Sequence, residues 1–323
     1  MKTEKRNIKV AFVIGKFPVV SETFIINQIS GLLDRGIDVE IFAFQKGDRE
    51  NISDKFYTYD MIHKTHYLNM PGNYVSRFFF GIKKAIHIFY VNPLLFLKIF
   101  NLKKYRRSAL SLQLLFWIEP FLNKKFDLVH CHFGTVANNF LIIHDILKLK
   151  QKMVTTFYGY DASVVFNRYP TNYYEKLKDK CSLFFVMSYN MKKRLIEQGF
   201  QESKIKVLPV GIDVDSYPFK ERSYRDGDPI RIISVGRFVE KKGFDDLLRA
   251  LAIVKSKTKK PFTCSIIGDG PLREELFSLT KRLNLQDVIE YKGYMKIEDI
   301  VKHLFDAHVF VQPSKTARNG DME

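Results

Sequence analysis

At 323 residues the chain is too long for one ordinary hydrophobic core and implies two domains. Its 46% apolar content is that of a soluble globular protein, and Cys131, Cys181 and Cys264 are too far apart, and odd in number, to build a disulfide framework or a CxxC metal site, which suits a reducing cytosol. The formal net charge of +17 asks for an anionic partner, and polar Met1–Asn7 runs straight into a strand without a secretory signal.

Taken in chain order, strands and helices alternate, which predicts an α/β protein with parallel sheets covered by helices. Ile8–Ile14 reads as a strand, followed by a helix over Glu22–Asp34 with Ser21 placed to cap it and Gly36 just past its end, then a strand at Val39–Phe44. From Met61 to Ile118 there is no Asp or Glu. That stretch carries Lys64, Arg77, Lys83, Lys84, Lys98, Lys103, Lys104, Arg106 and Arg107 among Phe78, Phe79, Phe80, Phe89, Phe96, Phe100 and Trp117. Its apolar runs are shorter than the ~20 residues that span a bilayer. A basic, aromatic, helix-prone segment of this kind is expected to lie on an anionic membrane surface, with Lys83, Lys84, Lys103, Lys104, Arg106 and Arg107 facing it. The plainer reading is a solvated basic face over an ordinary core helix. Nucleic acid would also attract the charge, but no recognised nucleic-acid motif accompanies it.

Further strands are predicted at Leu128–Cys131, Met153–Phe157, Leu183–Met187 and Lys206–Leu208. A first domain over 1–214, a linker over 215–229 marked by Pro218, Gly227 and Pro229, and a second domain over 230–323 follow from this pass. In the second domain, strand Arg231–Val235 leads to a helix with Phe244, Leu247, Leu248 and Leu251 on one stripe. Strand Thr263–Ile267, helix Leu272–Leu283, strand Val288–Tyr291, helix Ile297–Ala307 and strand His308–Val311 complete it. Ligands of open parallel sheets sit outside the carboxyl ends of the strands. The segment Ile230–Gly243 is therefore the most informative: its strand ends in Gly236, presents Arg237, Lys241 and Lys242, and enters a helix through Gly243. Cations beside a helix N-terminus suit a diphosphate.

The segments VIGKFPVVSETFI, DLVHCHFG, TTFYGYDAS, KVLPVGIDVDSY, SVGRFVEKKGFDDLLRA, SIIGDGPLREEL and FVQPSKTARNGDME, in this order and spacing, resemble the retaining glycosyltransferases of the two-Rossmann-domain (GT-B) type. The family is glycosyltransferase family 4, group 1, which includes bacterial exopolysaccharide and lipopolysaccharide sugar transferases. The SETFI opening resembles the colanic-acid and amylovoran type. The resemblance implies two Rossmann-like domains facing a cleft, and transfer of a sugar from a nucleotide diphosphate to a lipid-linked saccharide acceptor with retained configuration. A cytoplasmic protein, peripheral on the inner face of the membrane, is expected, with no cofactor and no essential metal.

By the same resemblance, Arg237 and Lys242 hold the phosphate charge that grows on the leaving group, and Lys241 is a spare. Gly236, Gly268, Gly270, Tyr294 and Met295 are placed near the donor, and Gly15 near a donor or acceptor phosphate in the opening loop. Tyr158 and Asp161 fall near the transferred sugar. The commoner family pattern there is His-Gly-x-Asp, and Tyr158 stands at the histidine's place. A tyrosine can donate a hydrogen bond but does not carry a proton near neutral pH as histidine does.

Two constellations resemble metal sites. Asp213-x-Asp215 lies in a segment the family carries before its linker and reads as a turn, and the histidines of His130-Cys131-His132 lack further ligands at metal spacing. At the other end, Gly320-Asp321-Met322-Glu323 matches the acidic stretch opening the family's paired-glutamate motif, which makes Glu323 the expected first glutamate, on the transferred sugar. The second would lie beyond it, so a truncated second domain is expected, shorter than usual by about 60–80 residues. The competing expectations are a non-catalytic remnant that retains membrane binding, and a sugar-nucleotide epimerase, which would need no lipid acceptor.

Overall fold

The structure, a computed structural model, describes residues 8–212, 214–217, 219 and 221–322. Glu323 and Asp213 lie outside that set. The chain forms two compact units, one of residues 8–50 and 54–211, the other of 51–53 and 212–322.

The first unit is built on a parallel sheet of β1 (Lys9–Phe17), β2 (Asp38–Lys46), β3 (Thr65–Tyr67), β4 (Leu128–His132), β5 (Lys152–Phe157), β6 (Leu183–Val186) and β7 (Ile205–Val207), in the order β3-β2-β1-β4-β5-β6-β7. β1 pairs with β2 on one side and β4 on the other, so the strand order reverses there. Val10–Ile14 are all buried, as a central parallel strand covered on both faces requires. Helix Gly134–Leu147 covers it, burying Val136, Ala137, Phe140, Leu141, Ile143 and Ile146. The short edge strand β3 is additional to the expected strands; Thr65-His66-Tyr67 has no apolar run to mark it in sequence. Helix Thr23–Leu33 starts one residue later than expected, and Ser21 sits in a 3-10 turn, Val20–Glu22, without capping it.

The acid-free segment folds into helices Tyr74–Val91, Pro93–Ile99, Leu102–Leu110 and Gln113–Ile118. Asn73 and Asn92 cap the first two by accepting from Val75 N and Leu95 N. Lys83, Lys103, Lys104 and Arg106 are exposed, and Arg106 interrupts its helix at φ 45°. The side chain of Arg107 is outside the described set. Lys84 departs from the expectation of a membrane-facing lysine: its Nζ donates to Glu119 Oε2 at 2.6 Å and lies over the Phe116 ring. The carboxylate that turns it inward comes just after the acid-free stretch.

The second unit holds a parallel sheet of β8 (Ile230–Val235), β9 (Phe262–Ile267), β10 (Ile289–Gly293) and β11 (Val309–Phe310), in the order β10-β9-β8-β11. Helix Phe244–Lys257 buries the expected stripe of Phe244, Leu247, Leu248 and Leu251. These residues pack with Phe238, Cys264, Ile266, Leu276 and Leu279 on one face of the sheet. A smaller apolar group, Ile233, Ile267 and Ala307 with Val235, Met295, Ile300 and Leu304 against it, lies around helix Ile297–Asp306.

Candidate active site

In the second unit the strand order reverses at β8, which pairs with β9 and with β11. An open α/β sheet holds its ligand outside the carboxyl end of such a strand. Gly236 and Arg237 stand there. The loop is anchored by Phe238, which is buried against Phe244 with ring centroids 5.1 Å apart, so that Arg237 beside it is left exposed. Phe238 N donates to Asp269 O at 2.9 Å, and Gly236 N to Ile267 O at 3.0 Å. The chain then makes a 3-10 turn, Glu240–Lys242, and enters helix Phe244–Lys257 through Gly243 at φ +66°.

Lys242 folds back over Gly236, its Cδ 3.4 Å from where a β-carbon on Gly236 would sit. Arg237 lies close enough to Tyr294 to act on its phenol: burial pushes the Tyr294 hydroxyl up, and the guanidinium pulls the other way. The structure thus brings Gly236, Arg237, Lys242, Gly268, Gly270 and Tyr294 to one end of the sheet. Met295 points elsewhere, into the apolar group around Ile233 and Ile300. The two glycines serve a neighbouring loop: a β-carbon on Gly268 would stand 1.9 Å from Gly236 O, and one on Gly270 2.7 Å from Phe238 O. They let the loops after β8 and β9 lie backbone on backbone.

Residues 313–322 close around the cation turn. A β-carbon on Gly243 would meet Pro313 O at 1.9 Å, and Lys315 N donates to Lys241 O at 2.9 Å. Lys241, the expected spare, pairs with Asp321 at 3.3 Å. Lys315 Nζ reaches Asp245 and Asp246, both in the first turn of helix Phe244–Lys257, at 2.8 Å each. Arg318 N donates to Glu240 Oε1 at 3.2 Å.

In the first unit, Gly15 lies within β1, not in the loop after it, and a β-carbon there would stand 3.2 Å from Val136 Cγ2. Asp161 is fully buried. Its Oδ2 accepts from Gly134 N at 2.8 Å, and its Oδ1 from Tyr158 N at 3.0 Å and Gly159 N at 3.1 Å. Burial pushes its carboxyl up while these amides favour the ionised form. Asp161 therefore ties the loop after β5 to the start of helix Gly134–Leu147, and its oxygens are occupied by backbone.

Tyr158 faces a residue that the sequence marked only as a metal look-alike. Its hydroxyl lies 2.8 Å from His132 Nδ1, with the two ring planes 8° from parallel. His132 is completely buried, stacked on Phe12 and His130 at 4.8 and 4.4 Å, and its Nε2 has no hydrogen-bond partner. Burial, helped by His130, holds its imidazole well below the usual histidine range, and burial likewise raises the Tyr158 phenol. Both shifts favour the neutral forms, which suits a pair that positions a hydroxyl. His130 Nε2 binds Thr156 Oγ1 at 2.7 Å, and among the described residues no cluster of three or more His, Cys, Asp or Glu is placed to hold a metal ion. The signal for the pair was present in the register: His132 pairs with Thr156 across β4 and β5, two residues before Tyr158.

Comparison with known proteins bears on the family and the fold. Residues 21–216 match the family described as Glycosyltransferase Family 4, and 217–320 that described as Glycosyl transferases group 1. The amylovoran biosynthesis glycosyltransferase AmsK of Erwinia amylovora is 32% identical over 98% of this chain and 78% of its own length. WcaL of Escherichia coli (strain K12), named for colanic acid biosynthesis, is 31% identical over the same shares. Among solved structures, Anabaena Alr3699/HepE, in complex with UDP and glucose, superimposes with a TM-score of 0.60 at 16% identity, covering 96% of this chain and 75% of that one. With both family matches in sequence order and relatives of this identity across nearly all of it, the chain belongs to glycosyltransferase family 4 and has the GT-B fold.

Proposed function

We propose that this glycosyltransferase moves a sugar from a nucleotide-diphosphate donor to a lipid-linked saccharide acceptor, with retained configuration, during assembly of a cell-surface polysaccharide. The observation that carries the reading is the pair Arg237 and Lys242 at the carboxyl end of β8, beside Gly236 and the start of helix Phe244–Lys257. As the bond from sugar to phosphate breaks, negative charge grows on the leaving diphosphate. A guanidinium fork and an ammonium already in place stabilise that charge without rearranging. The Tyr158 hydroxyl, held by His132, and the loop tied down by Asp161 would face the sugar and acceptor in the first unit. The names of AmsK and WcaL support an exopolysaccharide as product, and the UDP and glucose in the Anabaena structure support a nucleotide sugar as donor.

The acid-free segment supports an acceptor held at the inner face of the cytoplasmic membrane, where lysines meet anionic headgroups. Among the described residues no helix is long and apolar enough to cross a membrane. The test is to incubate the chain and bacterial membranes with a panel of radiolabelled nucleotide sugars. Label should enter the lipid extract with one donor and fail to do so with Arg237→Ala. No label in lipid with any donor would sink the proposal, and isomerised nucleotide sugar formed without membranes would replace it with an epimerase.

A further inference from the structure

Helix Tyr74–Val91 is inside out. The side that meets the domain is narrow and mixed: Gly81 and Ile88 are its buried residues, Lys84 and His87 bind Glu119, and Arg77 donates to Pro71 O. At Gly81 the helix backbone comes close to Leu112, where a β-carbon would stand 3.0 Å from Leu112 Cδ1. Its outward side carries Phe78, Phe79, Ile82, Ile86 and Phe89, with Phe79 68% and Ile86 60% exposed. A surface helix ordinarily turns such a stripe inward. The patch continues over Leu94 and Leu97 of the next helix, 70% and 67% exposed.

An apolar face of this extent calls for an occupant, and the surroundings identify it. Tyr74 and Tyr90, 80% and 89% exposed, stand at the two ends of the helix with the phenylalanines between them, the distribution that suits the boundary between headgroups and acyl chains. Exposed Lys83, Lys98, Lys103 and Lys104 accompany the patch, and Met61–Ile118 holds no acid to oppose an anionic surface. Long lysine stems can lie along the apolar layer while their ammonium groups reach the phosphates.

We infer that helix Tyr74–Val91 is a wedge whose outer face enters the acyl region of one leaflet of an anionic bilayer, so that lysines guide the approach and aromatic burial holds the protein there. The inference rests on the membrane reading above but differs from it in the force involved. Electrostatic adsorption vanishes when about 1 M salt shortens the screening length to about 3 Å, whereas buried apolar surface does not depend on it.

The experiment is flotation of the whole chain with vesicles of phosphatidylcholine and phosphatidylglycerol, at about 0.1 M and about 1 M salt. Bound protein should persist at high salt, and the double variant Phe79→Ser, Ile86→Ser should lower partitioning about 10- to 100-fold. Lys103→Ala with Lys104→Ala should weaken binding at low salt alone. All substituted side chains are exposed, and circular dichroism verifies the fold. A Phe79→Trp probe should be quenched by brominated acyl chains. Binding lost at high salt and indifferent to the Phe79→Ser, Ile86→Ser variant would overturn the wedge while leaving a membrane-bound enzyme. No vesicle binding at either salt would overturn both. A concentration-dependent dimer, abolished by that variant and formed without vesicle binding, would assign the face to a second copy and overturn the wedge.

Discussion

Arg237 and Lys242 differ in what their replacement would reveal. Arg237 is exposed beside a buried phenylalanine, so changing it leaves the packing of the loop alone. Arg237→Ala is expected to lower kcat/KM about 100- to 1000-fold, with an unchanged melting temperature. Arg237→Lys keeps the charge but loses the planar fork, and should recover only part of the rate. Full activity in Arg237→Ala would remove the leaving-group charge from this loop. The neighbouring glycines predict the opposite behaviour. Gly268→Ala drives a methyl group to 1.9 Å from a carbonyl oxygen at a φ of +145°, so the loops after β8 and β9 must part. A loss of about 1–3 kcal/mol in urea unfolding is expected. These glycines were legible as special positions in the sequence, but their reason was not. One dimension shows that backbone comes close to something, and only the fold shows that this is another backbone.

At the scale of elements, β4 carries its own pH dependence. His130 is buried, and burial lowers its imidazole to about 4 from an ordinary 6.5. His132 beside it is shifted in the same direction. Because the folded state resists protonation, the unfolded chain binds more protons between these two values. Stability is therefore fully present above about pH 6.5 and falls as the pH drops towards 4. The His130 shift corresponds to about 3 kcal/mol over the whole window, of which about 2 kcal/mol is gone by pH 5. Urea unfolding at pH 7 and pH 5 should show this, and His130→Gln should flatten the slope. An identical midpoint at both pH values would contradict the burial of His130. The strand itself was legible as an apolar run, whereas the function of its histidines was not. Their spacing along one strand resembles a metal pair without the further ligands, and the partners that bind them, Thr156 of β5 and Tyr158 just after it, come from across the sheet.

For the whole molecule, the alternation of strands and helices announced the parallel sheets, because central parallel strands must be apolar throughout and cannot be mistaken for amphipathic ones. The surface was harder to read. Between Met61 and Ile118 the composition gave the sign of the charge correctly, yet it did not show that Lys84 turns inward to Glu119 or that Phe79 and Ile86 turn outward. Helical spacing defines two faces without saying which one the domain covers. That choice was made by Glu119 and Leu112, both from later in the chain.

One contact in the second unit also constrains how such a chain can vary. Lys315 lies 2.8 Å from the carboxylates of both Asp245 and Asp246. Losing the lysine would leave two like charges side by side, and losing either aspartate would shift the balance at a helix N-terminus that follows the Glu240–Lys242 turn. The three side chains therefore act as one unit: replacing Lys315 by Met should cost more stability in the presence of both aspartates than in the Asp245→Asn, Asp246→Asn background, as urea unfolding would show. The first turn of one helix and a segment more than sixty residues later are thereby fastened to each other by charge.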